Sequence, residues 1–247
     1  MGPQPPNLAC VPRHLRPNAK ADIHPVALLP GDPARALALA QELIDGPLMT
    51  NHARGLWGYS GHTAGGLGLT IQSTGIGAAS GAVVLTELAE LGVRQAVRIG
   101  TCTAVTAQAR LGEALVVERA PALDGVSREG APAGLALPNA ALTEAVAAVG
   151  RGAVVAGADP RPGDVGADEK RALEVGAEAI DLQAAALLST ASALGIDAAC
   201  VSIVAVDETG DALDHEALAE RAVEVGLGVS RSLASAPATR SQTLESD

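Results

Sequence analysis

The chain of 247 residues has no Phe, one Trp (Trp57) and one Tyr (Tyr59), so it offers little aromatic surface for stacking. Lysine is equally scarce, with only Lys20 and Lys170, and the formal net charge is −11. Nucleic-acid scaffolds need basic stripes to neutralise phosphates, so that class of function is excluded. No apolar run reaches membrane-spanning length, and the N-terminal MGPQPPNLAC lacks the charged-then-apolar order of a signal peptide.

Patterns of disulfide or metal ligands are also missing. The three cysteines form no CxxC pair and are expected to be reduced: Cys10, Cys102 and Cys200. Cys102 is expected to be a small packed residue rather than a nucleophile. Four histidines show no metal spacing: His24, His52, His62 and His215. We therefore predict no metal site, and we expect a protein of the prokaryotic cytoplasm.

Strand and helix patterns alternate along the chain. Val26–Leu29 is a short apolar run, and Ala34–Leu43 follows as a helix that Asp32 can cap, with Pro33 suited to its first turn. Such alternation predicts an α/β fold, a single three-layer α/β/α domain with a central mixed β-sheet. We place this domain at residues 22–234, after an N-terminal arm (1–21) and before a disordered tail (235–247).

The stretch from Ser73 to Val105 carries the most information. It predicts a glycine loop (73–77), a helix (79–91), a strand (Gln95–Ile99) and a second loop at Gly100-Thr101-Cys102. Arg98 ends that strand, and a buried guanidinium is costly unless it meets an anion. Arg35 lies in the first turn of a helix, where the backbone already favours an anion. The two arginines either build an oxyanion site or each pair with a carboxylate.

Four segments resemble the uridine/purine nucleoside phosphorylase family: GDPAR (31–35), STGIG (73–77), ELAELGVRQAVRIGTC (87–102) and DLQAAAL (181–187). GDPxR together with RIGT, in this order and spacing, is a specific signal. RIGT, STGIG and the LDG at 123–125 resemble the uridine phosphorylase branch. The resemblance implies phosphorolysis of a nucleoside, uridine first, by inorganic phosphate to free base and (deoxy)ribose 1-phosphate. It also implies a nucleoside phosphorylase-like fold and no organic cofactor.

The resemblance assigns roles to individual residues. The phosphate would be held by Gly31, Arg35, Arg54, Arg98 and Thr101, with Arg54 reaching into a neighbouring subunit's site and Arg98 acting in catalysis. The nucleoside would contact His14, Ile76, Asp181, Leu182, Gln183 and Arg161, with His14 crossing to a neighbour's ribose. Asp207 lies near the position of an acid that serves the base in purine-specific relatives. A shared site implies a homo-oligomer, with a dimer as the minimum unit. The resemblance also implies a trimer of dimers, which is the usual assembly of the family.

The match departs from the family at three points, and the role of Asp207 is open. Gln183 replaces a glutamate, so it either accepts from a ribose hydroxyl without a charge or only packs at a strand end. The segment between 156 and 176 has no aromatic residue and no glutamine, which leaves Arg161 as the candidate donor to the base. Asp207 either protonates a purine or caps a strand end. Gly55 stands where uridine phosphorylases keep a glutamate for a monovalent cation, so that ion is not predicted.

Three alternatives to uridine phosphorolysis follow from these departures. One is a purine nucleoside phosphorylase, and another is a nucleoside hydrolase on the same fold. Retention of both Arg35 and Arg98 argues against the hydrolase, because a water nucleophile does not need an anion site. The third is a non-catalytic relative that binds nucleoside or phosphate without turnover.

Overall fold

The computed structural model of the protein describes residues 12–159 and 165–235. Ten β-strands lie in these ranges: β1 Val26–Pro30, β2 Leu48–Asn51, β3 Gly58–His62, β4 Gly68–Gln72, β5 Gln95–Ala104, β6 Ala114–Pro121, β7 Leu135–Ala136, β8 Arg151–Gly157, β9 Ala179–Asp181 and β10 Asp197–Val206. Seven α-helices accompany them: α1 Pro33–Leu43, α2 Ala78–Glu90, α3 Gly125–Gly130, α4 Ala140–Val146, α5 Val165–Glu174, α6 Ala184–Leu194 and α7 His215–Ser235.

The strands form a mixed sheet that closes on itself at one end. β5 pairs with β10, β10 with β6, β6 with β8, β8 with β9, and β9 with β5, so these five strands make a closed ring. From β5 the sheet continues through β1, β4, β3 and β2. β1 is parallel to both β4 and β5, whereas β9 is antiparallel to β5. β5 is therefore the junction between the ring and the open part of the sheet.

Helices cover both faces of the sheet. One core packs the sheet against α1, α4 and α7, and a second packs it against α2 and α6. Leu28 of β1 belongs to the first core and Leu29 to the second, because successive side chains of a strand point to opposite faces. Both are at most 1% exposed, and burial of each contributes about 1.5–3 kcal/mol. The predicted three-layer α/β/α architecture is confirmed.

The predicted start of α1 is also confirmed. The Asp32 carboxylate accepts from the Arg35 backbone N–H at 2.9 Å, and Pro33 is the first helical residue. At the other end of the chain, α6 ends as predicted at Gly195, whose φ of 66° belongs to the left-handed region that glycine tolerates. The α1 cap fixes the first turn of the helix beside the end of β1, which brings Arg35 towards the centre of the sheet.

The predicted loop at Gly100-Thr101-Cys102 is wrong, because β5 runs unbroken to Ala104. The three residues pair in register with Ser202, Ile203 and Val204 of β10. These ladder bonds satisfy the backbone groups that the glycine and hydroxyl residues were expected to leave free. Tertiary pairing thus overrides the local turn signal, and Arg98 lies inside a strand rather than at its end.

β2 and α3 are among the short elements that were not predicted. The edge strand β2 is four residues long, with Leu48 54% exposed, so its sequence has no burial pattern to detect. α3 lies in the stretch 119–139 that was expected to be loop-rich. It is six residues long and begins at Asp124, whose carboxylate accepts from the Ser127 N–H at 2.7 Å. Both depend on a neighbouring strand or a cap rather than on periodicity.

The N-terminal arm is described from residue 12. Residues 12–21 contain no helix or strand, although Leu15 is only 1% exposed. The predictions for residues 1–11, and for the tail beyond Ser235, lie outside the described residues. In the ranges that are described, no helix has the length and apolar character needed to cross a membrane.

Candidate functional site

Two guanidinium groups flank the backbone of Gly31, at the turn between β1 and α1. A Cβ atom placed on Gly31 would lie 3.8 Å from Nη2 of Arg35 and 3.9 Å from Nη1 of Arg98. The nearest atom to that Cβ would be the Gly75 carbonyl oxygen at 3.3 Å, so Gly31 lies close to the glycine loop as well as to both cations. The N-terminus of α1 adds its own partial positive charge to this position. The structure thus brings together three residues that the sequence assigned to one anion site.

Arg98 is held by a buried carboxylate. Its Nε and Nη2 donate to the two carboxylate oxygens of Asp181 at 3.1 and 2.8 Å. Arg98 is 5% exposed and Asp181 is fully buried. Arg98 therefore pairs with a carboxylate, and its role at a phosphate stays a prediction. Nη1 also donates to Oε1 of Gln183 at 2.7 Å, so three of the five guanidinium N–H groups are used and two remain for another acceptor.

Asp181 receives further donors from both sides. Ser202 Oγ of the neighbouring β10 donates to it at 2.8 Å, and the backbone N–H groups of Gln183 and Ala184 donate at 2.7 and 3.2 Å. These amides belong to the turn between β9 and α6, which the carboxylate caps. Its two oxygens therefore accept five hydrogen bonds from the protein, and its predicted contact with a nucleoside stays untested.

Arg35 has no such counterion. Its Nη1 is buried and has no hydrogen-bond partner among the described residues. Burial lowers the pKa of the Arg35 guanidinium, Asp32 opposes that change, and Arg98 adds to it. An unpaired buried guanidinium N–H costs free energy that an anion would recover. This atom is the strongest structural evidence for a ligand in the site.

Gly100 is a site residue that sequence reasoning did not identify. A Cβ atom on Gly100 would lie 2.6 Å from Cζ of Arg98, so the arginine side chain can fold back only over a glycine. Thr101 follows it on β5, and its hydroxyl makes no hydrogen bond within the described ranges. Thr101 is thus free to bind a ligand, which agrees with its predicted role without testing it.

Thr74 and Ser202 are the other two residues that the sequence reasoning missed. Thr74 Oγ1 donates to Gln183 Oε1 at 2.7 Å, and Ser202 contacts Asp181. Both are fully buried hydroxyls. A hydroxyl in a buried strand or in a glycine loop is the only signal that could have indicated them.

The glycine loop (73–77) exposes Ile76, the residue that was predicted to contact the nucleoside. Ile76 is 82% exposed, between Gly75 and Gly77, whose φ values are 72° and 83°. The Gly75 N–H donates to the Gly31 carbonyl at 2.9 Å, so the loop is attached to the anion site. Leu182, in the turn between β9 and α6, is half-buried. These two side chains can contact a ligand without breaking a protein hydrogen bond.

Arg54 and His14 do not contact the anion site within this chain. Arg54 is exposed and has a φ of 58°, in the left-handed region that is strained for a non-glycine residue. His14 Nδ1 lies 2.6 Å from Oε1 of Glu87, and the imidazole is 39% exposed. The predicted roles of both residues at a neighbouring subunit's site stay predictions.

Glu87 anchors the N-terminal arm. Its carboxylate accepts from the backbone N–H groups of Arg13, His14 and Leu15 at 2.7–3.1 Å, in addition to the His14 ring. Burial disfavours the charged form, but these donors, the Leu15 N–H first, outweigh it and keep the pKa of Glu87 below its usual value. The carboxylate therefore orders the segment that carries His14.

Asp207 stabilises a turn in this structure. Its carboxylate accepts from the backbone N–H and hydroxyl of Thr209 at 2.9 and 2.8 Å and from the Asp211 N–H at 3.0 Å. The Thr209 hydroxyl is the main cause of the lowered pKa of Asp207. Of the two readings of this residue, the structural one is confirmed by these contacts, and the catalytic one stays a prediction. Arg161 lies outside the described residues.

The two described cysteines are buried and unpaired. Burial raises the pKa of the Cys102 thiol well above its usual value and that of Cys200 to about 12. A neutral buried thiol is a poor nucleophile, so Cys102 is the packed residue that the sequence predicted. Across residues 12–159 and 165–235, no group of three or more His, Cys, Asp or Glu side chains could hold a metal ion.

Two guanidiniums thus lie beside the turn between β1 and α1 of this α/β protein, and one of them is held by a buried carboxylate. The family model described as "Phosphorylase superfamily" matches residues 25–234. The chain therefore belongs to the phosphorylase superfamily. This confirms the family predicted from the sequence motifs, and with it the enzyme class of the named relatives, the pentosyltransferases.

Individual relatives are named as uridine and purine nucleoside phosphorylases. The chain is 29% identical over 228 residues to a uridine phosphorylase of Haemophilus influenzae, covering 83% of this chain and 89% of the relative. It is 32% identical over 108 residues to a DeoD-type purine nucleoside phosphorylase of Clostridium novyi, covering 43% and 46%. The crystal structure of a uridine phosphorylase from Vibrio fischeri superposes with a TM-score of 0.77, at 22% identity, over 85% of this chain and 91% of that one. At that identity the superposition supports the fold alone.

Proposed function

We propose that the protein catalyses phosphorolysis of a nucleoside by inorganic phosphate, with uridine as the first candidate substrate. The observation that carries the proposal is the unpartnered, buried Nη1 of Arg35 beside Arg98 at the N-terminus of α1. A phosphate ion offers several acceptor oxygens to two guanidiniums at once. Phosphate would be the second substrate, and the reaction would need no organic cofactor or metal.

The phosphate would lie beside Gly31, within reach of both guanidiniums. Arg35 would donate from Nη1, Arg98 from its two remaining N–H groups, and Thr101 from its hydroxyl. Because Asp181 fixes Arg98 through two hydrogen bonds, the arginine is oriented before the phosphate arrives. Such preorganisation matters because inorganic phosphate is already an anionic nucleophile and needs positioning more than a general base.

The reaction would break the C1′–N bond through a state with positive charge on the sugar. A phosphate oxygen would attack C1′, and the electron pair of the broken bond would leave with the base. Uracil would leave as an anion that is protonated afterwards, whereas a purine is helped by an acid. Asp207 is the proposed acid for a purine, although its present hydrogen bonds favour the ionised carboxylate.

The nucleoside would lie between the glycine loop and the start of α6. Ile76 and Leu182 are the proposed contacts within the chain, with Arg161 as the proposed donor to the base. Uridine is preferred because the named uridine phosphorylase aligns over 83% of this chain, whereas the purine-type relative aligns over 43%.

We further propose a homo-oligomer in the cytoplasm, a dimer at minimum and a hexamer as the full assembly. Arg54 and His14 support this, because both are partly or fully exposed and neither contacts the anion site of its own chain. In a dimer, Arg54 would complete a neighbour's phosphate site and His14 a neighbour's ribose site. The catalytic domain would comprise residues 22–234, flanked by an N-terminal arm and a C-terminal tail.

The test is a panel of uridine, thymidine, inosine and adenosine, each incubated with and without phosphate. Release of base that requires phosphate, with formation of pentose 1-phosphate, is expected for at least one nucleoside. Phosphate-independent release of free pentose would indicate a hydrolase. No release from any of the four, together with measurable ligand binding, would indicate a non-catalytic relative.

Arg35→Met provides the matched test of the anion site. It keeps most of the side-chain volume and removes the guanidinium, so phosphate-dependent release should fall by at least about 100-fold. Arg94→Met is the control, since Arg94 is an exposed arginine that bonds only backbone carbonyls next to α2. Equal activity of the two variants would show that the phosphate site lies elsewhere.

A further inference from the structure

Gln183 connects the anion site to the glycine loop. Its Oε1 accepts from Nη1 of Arg98 and from Oγ1 of Thr74, both at 2.7 Å. Its Nε2 donates to the backbone carbonyls of Gly75 at 3.1 Å and Gly77 at 3.0 Å. One amide thus bridges the guanidinium of β5 and the loop that precedes α2.

This network determines how the amide is oriented. In the opposite orientation, the amide NH₂ would face the Arg98 and Thr74 donors, and Oε1 would face two carbonyl oxygens. In the observed orientation, both lone pairs of Oε1 and both N–H groups of Nε2 are used. The side chain is 2% exposed, and a Cβ atom on Gly81 would lie only 3.3 Å from its Cδ. A sugar hydroxyl could therefore bond to this amide only by displacing one of the hydrogen bonds that it makes within the protein.

The neutral amide also preserves the charge of the site. Arg98 already faces the carboxylate of Asp181, so this pair has no net charge. A glutamate at position 183 would give the trio one net negative charge in front of an incoming phosphate. It would also place a carboxylate oxygen about 3 Å from two carbonyl oxygens, where the amide now donates.

We infer that Gln183 is a positioning residue for the phosphate side of the site, holding Arg98 and the loop at residues 74–77, and not a ligand of the ribose. The inference rests on the proposed function for its kinetic test. It gives a reason for the departure from the family's glutamate, because in this chain the loop carbonyls require a donor. It also predicts that restoring a glutamate weakens the site rather than improving sugar binding.

The experiment compares Gln183→Glu with Gln72→Glu. Gln72 is a matched control because it is also 2% exposed and its Nε2 donates to the backbone carbonyls of Leu56 and Ser73 at 2.9 and 3.0 Å, without contact to Arg98. Both variants replace a buried amide donor with a carboxylate. Thr74→Val is a milder third variant, which removes the hydroxyl that lies 2.7 Å from Gln183 Oε1 and 3.2 Å from the Pro30 carbonyl oxygen.

We expect Gln183→Glu to raise the phosphate KM by at least about tenfold, with the nucleoside KM changed about twofold or less. Thr74→Val should raise the phosphate KM in the same direction by a smaller factor, which keeps the test valid if Gln183→Glu does not fold. Gln72→Glu should lower thermal stability but keep both KM values. Equal increases for the two glutamate variants, or a lower nucleoside KM with an unchanged phosphate KM for Gln183→Glu, would overturn the inference.

Direct calorimetric titration with inorganic phosphate separates this inference from the proposed function. If the wild-type chain releases no base from any nucleoside, phosphorolysis is rejected. The positioning role is then read from phosphate binding alone, where Gln183→Glu should bind at least about tenfold more weakly than wild type. Unchanged binding in Gln183→Glu and in Thr74→Val would reject the positioning role.

Discussion

The guanidinium of Arg98 lies against the backbone of Gly100, so closely that a Cβ atom there would stand 2.6 Å from Arg98 Cζ. The two residues are neighbours on the same face of β5, and the ladder with β10 fixes the backbone beneath them. The position of the cation is therefore determined by the absence of a side chain two residues later.

Gly100→Ala should displace the guanidinium and lower kcat/KM for phosphate by about 100-fold, because a misplacement of about 1 Å has that effect on a positioned group. Steady-state kinetics with varied phosphate measures it. Gly152→Ala is the control, since there the added methyl meets only the carboxylate end of an exposed glutamate, Glu118. If Gly100→Ala keeps wild-type kinetics, the position of the Arg98 guanidinium does not depend on a glycine at residue 100.

Asp181→Asn should destabilise the protein by about 3–5 kcal/mol, because it leaves the buried Arg98 cation without a counterion. Urea unfolding of the variant and the wild type gives this difference. Glu113→Gln breaks a partly exposed pair with Arg151 and should change stability by about 0–1 kcal/mol. Similar losses for the two variants would mean that burial of the Arg98–Asp181 pair has no special effect on stability.

Stability should fall in acid partly through Glu87. The pKa of this carboxyl is lower in the folded chain than its usual value near 4.5, so its ionisation stabilises the fold above that value. The contribution is lost as the pH falls through the lower, folded pKa. Glu87→Gln should therefore be less stable than wild type at pH 7, and the difference should shrink below about pH 4.5.

Thermal unfolding of both proteins from pH 7 down to pH 3 measures this convergence. A difference that stays constant over the whole range would show that Glu87 does not titrate with a lowered pKa. Limited proteolysis of the N-terminal arm at pH 7 offers a second readout, because Glu87→Gln should expose the segment that carries His14.

The sequence predicted the layer order and the start of α1 from local rules that hold in the structure. The Asp32 cap and the alternation of Leu28 and Leu29 are examples, because each depends on residues within one turn or one strand. The partner of Arg98 could not be chosen between phosphate and carboxylate, because Asp181 lies 83 residues away and meets it only through strand pairing. The extension of β5 through Gly100 was not predicted for the same reason, because the hydrogen bonds that continue the strand come from the distant β10.

The roles of single side chains are the hardest feature of the candidate site to predict from the sequence. Gln183 has the same neighbours in sequence whether it binds a sugar or bridges Arg98 to the glycine loop. Only the positions of the Gly75 and Gly77 carbonyls distinguish the two, and these depend on the two positive φ angles of the loop.

Arg54 and Ala133 are the two non-glycine residues with positive φ in the described ranges, at 58° and 54°. A glycine in either position removes a strain of roughly 1 kcal/mol, although its flexible unfolded state offsets part of this gain. Arg54→Gly and Ala133→Gly should therefore both leave stability unchanged or slightly higher, as measured by urea unfolding. Their effects on activity should differ.

Arg54→Gly should raise the phosphate KM by about tenfold or more, because the proposed dimer loses a guanidinium from each shared site. Ala133→Gly should keep wild-type kinetics. Mixing Arg54→Gly chains with Arg35→Met chains makes the comparison specific, because a shared site assembled from one chain of each kind contains either both defects or neither. Partial recovery of activity on mixing would support the shared site, whereas no recovery in a verified mixed dimer would place Arg54 outside its neighbour's site.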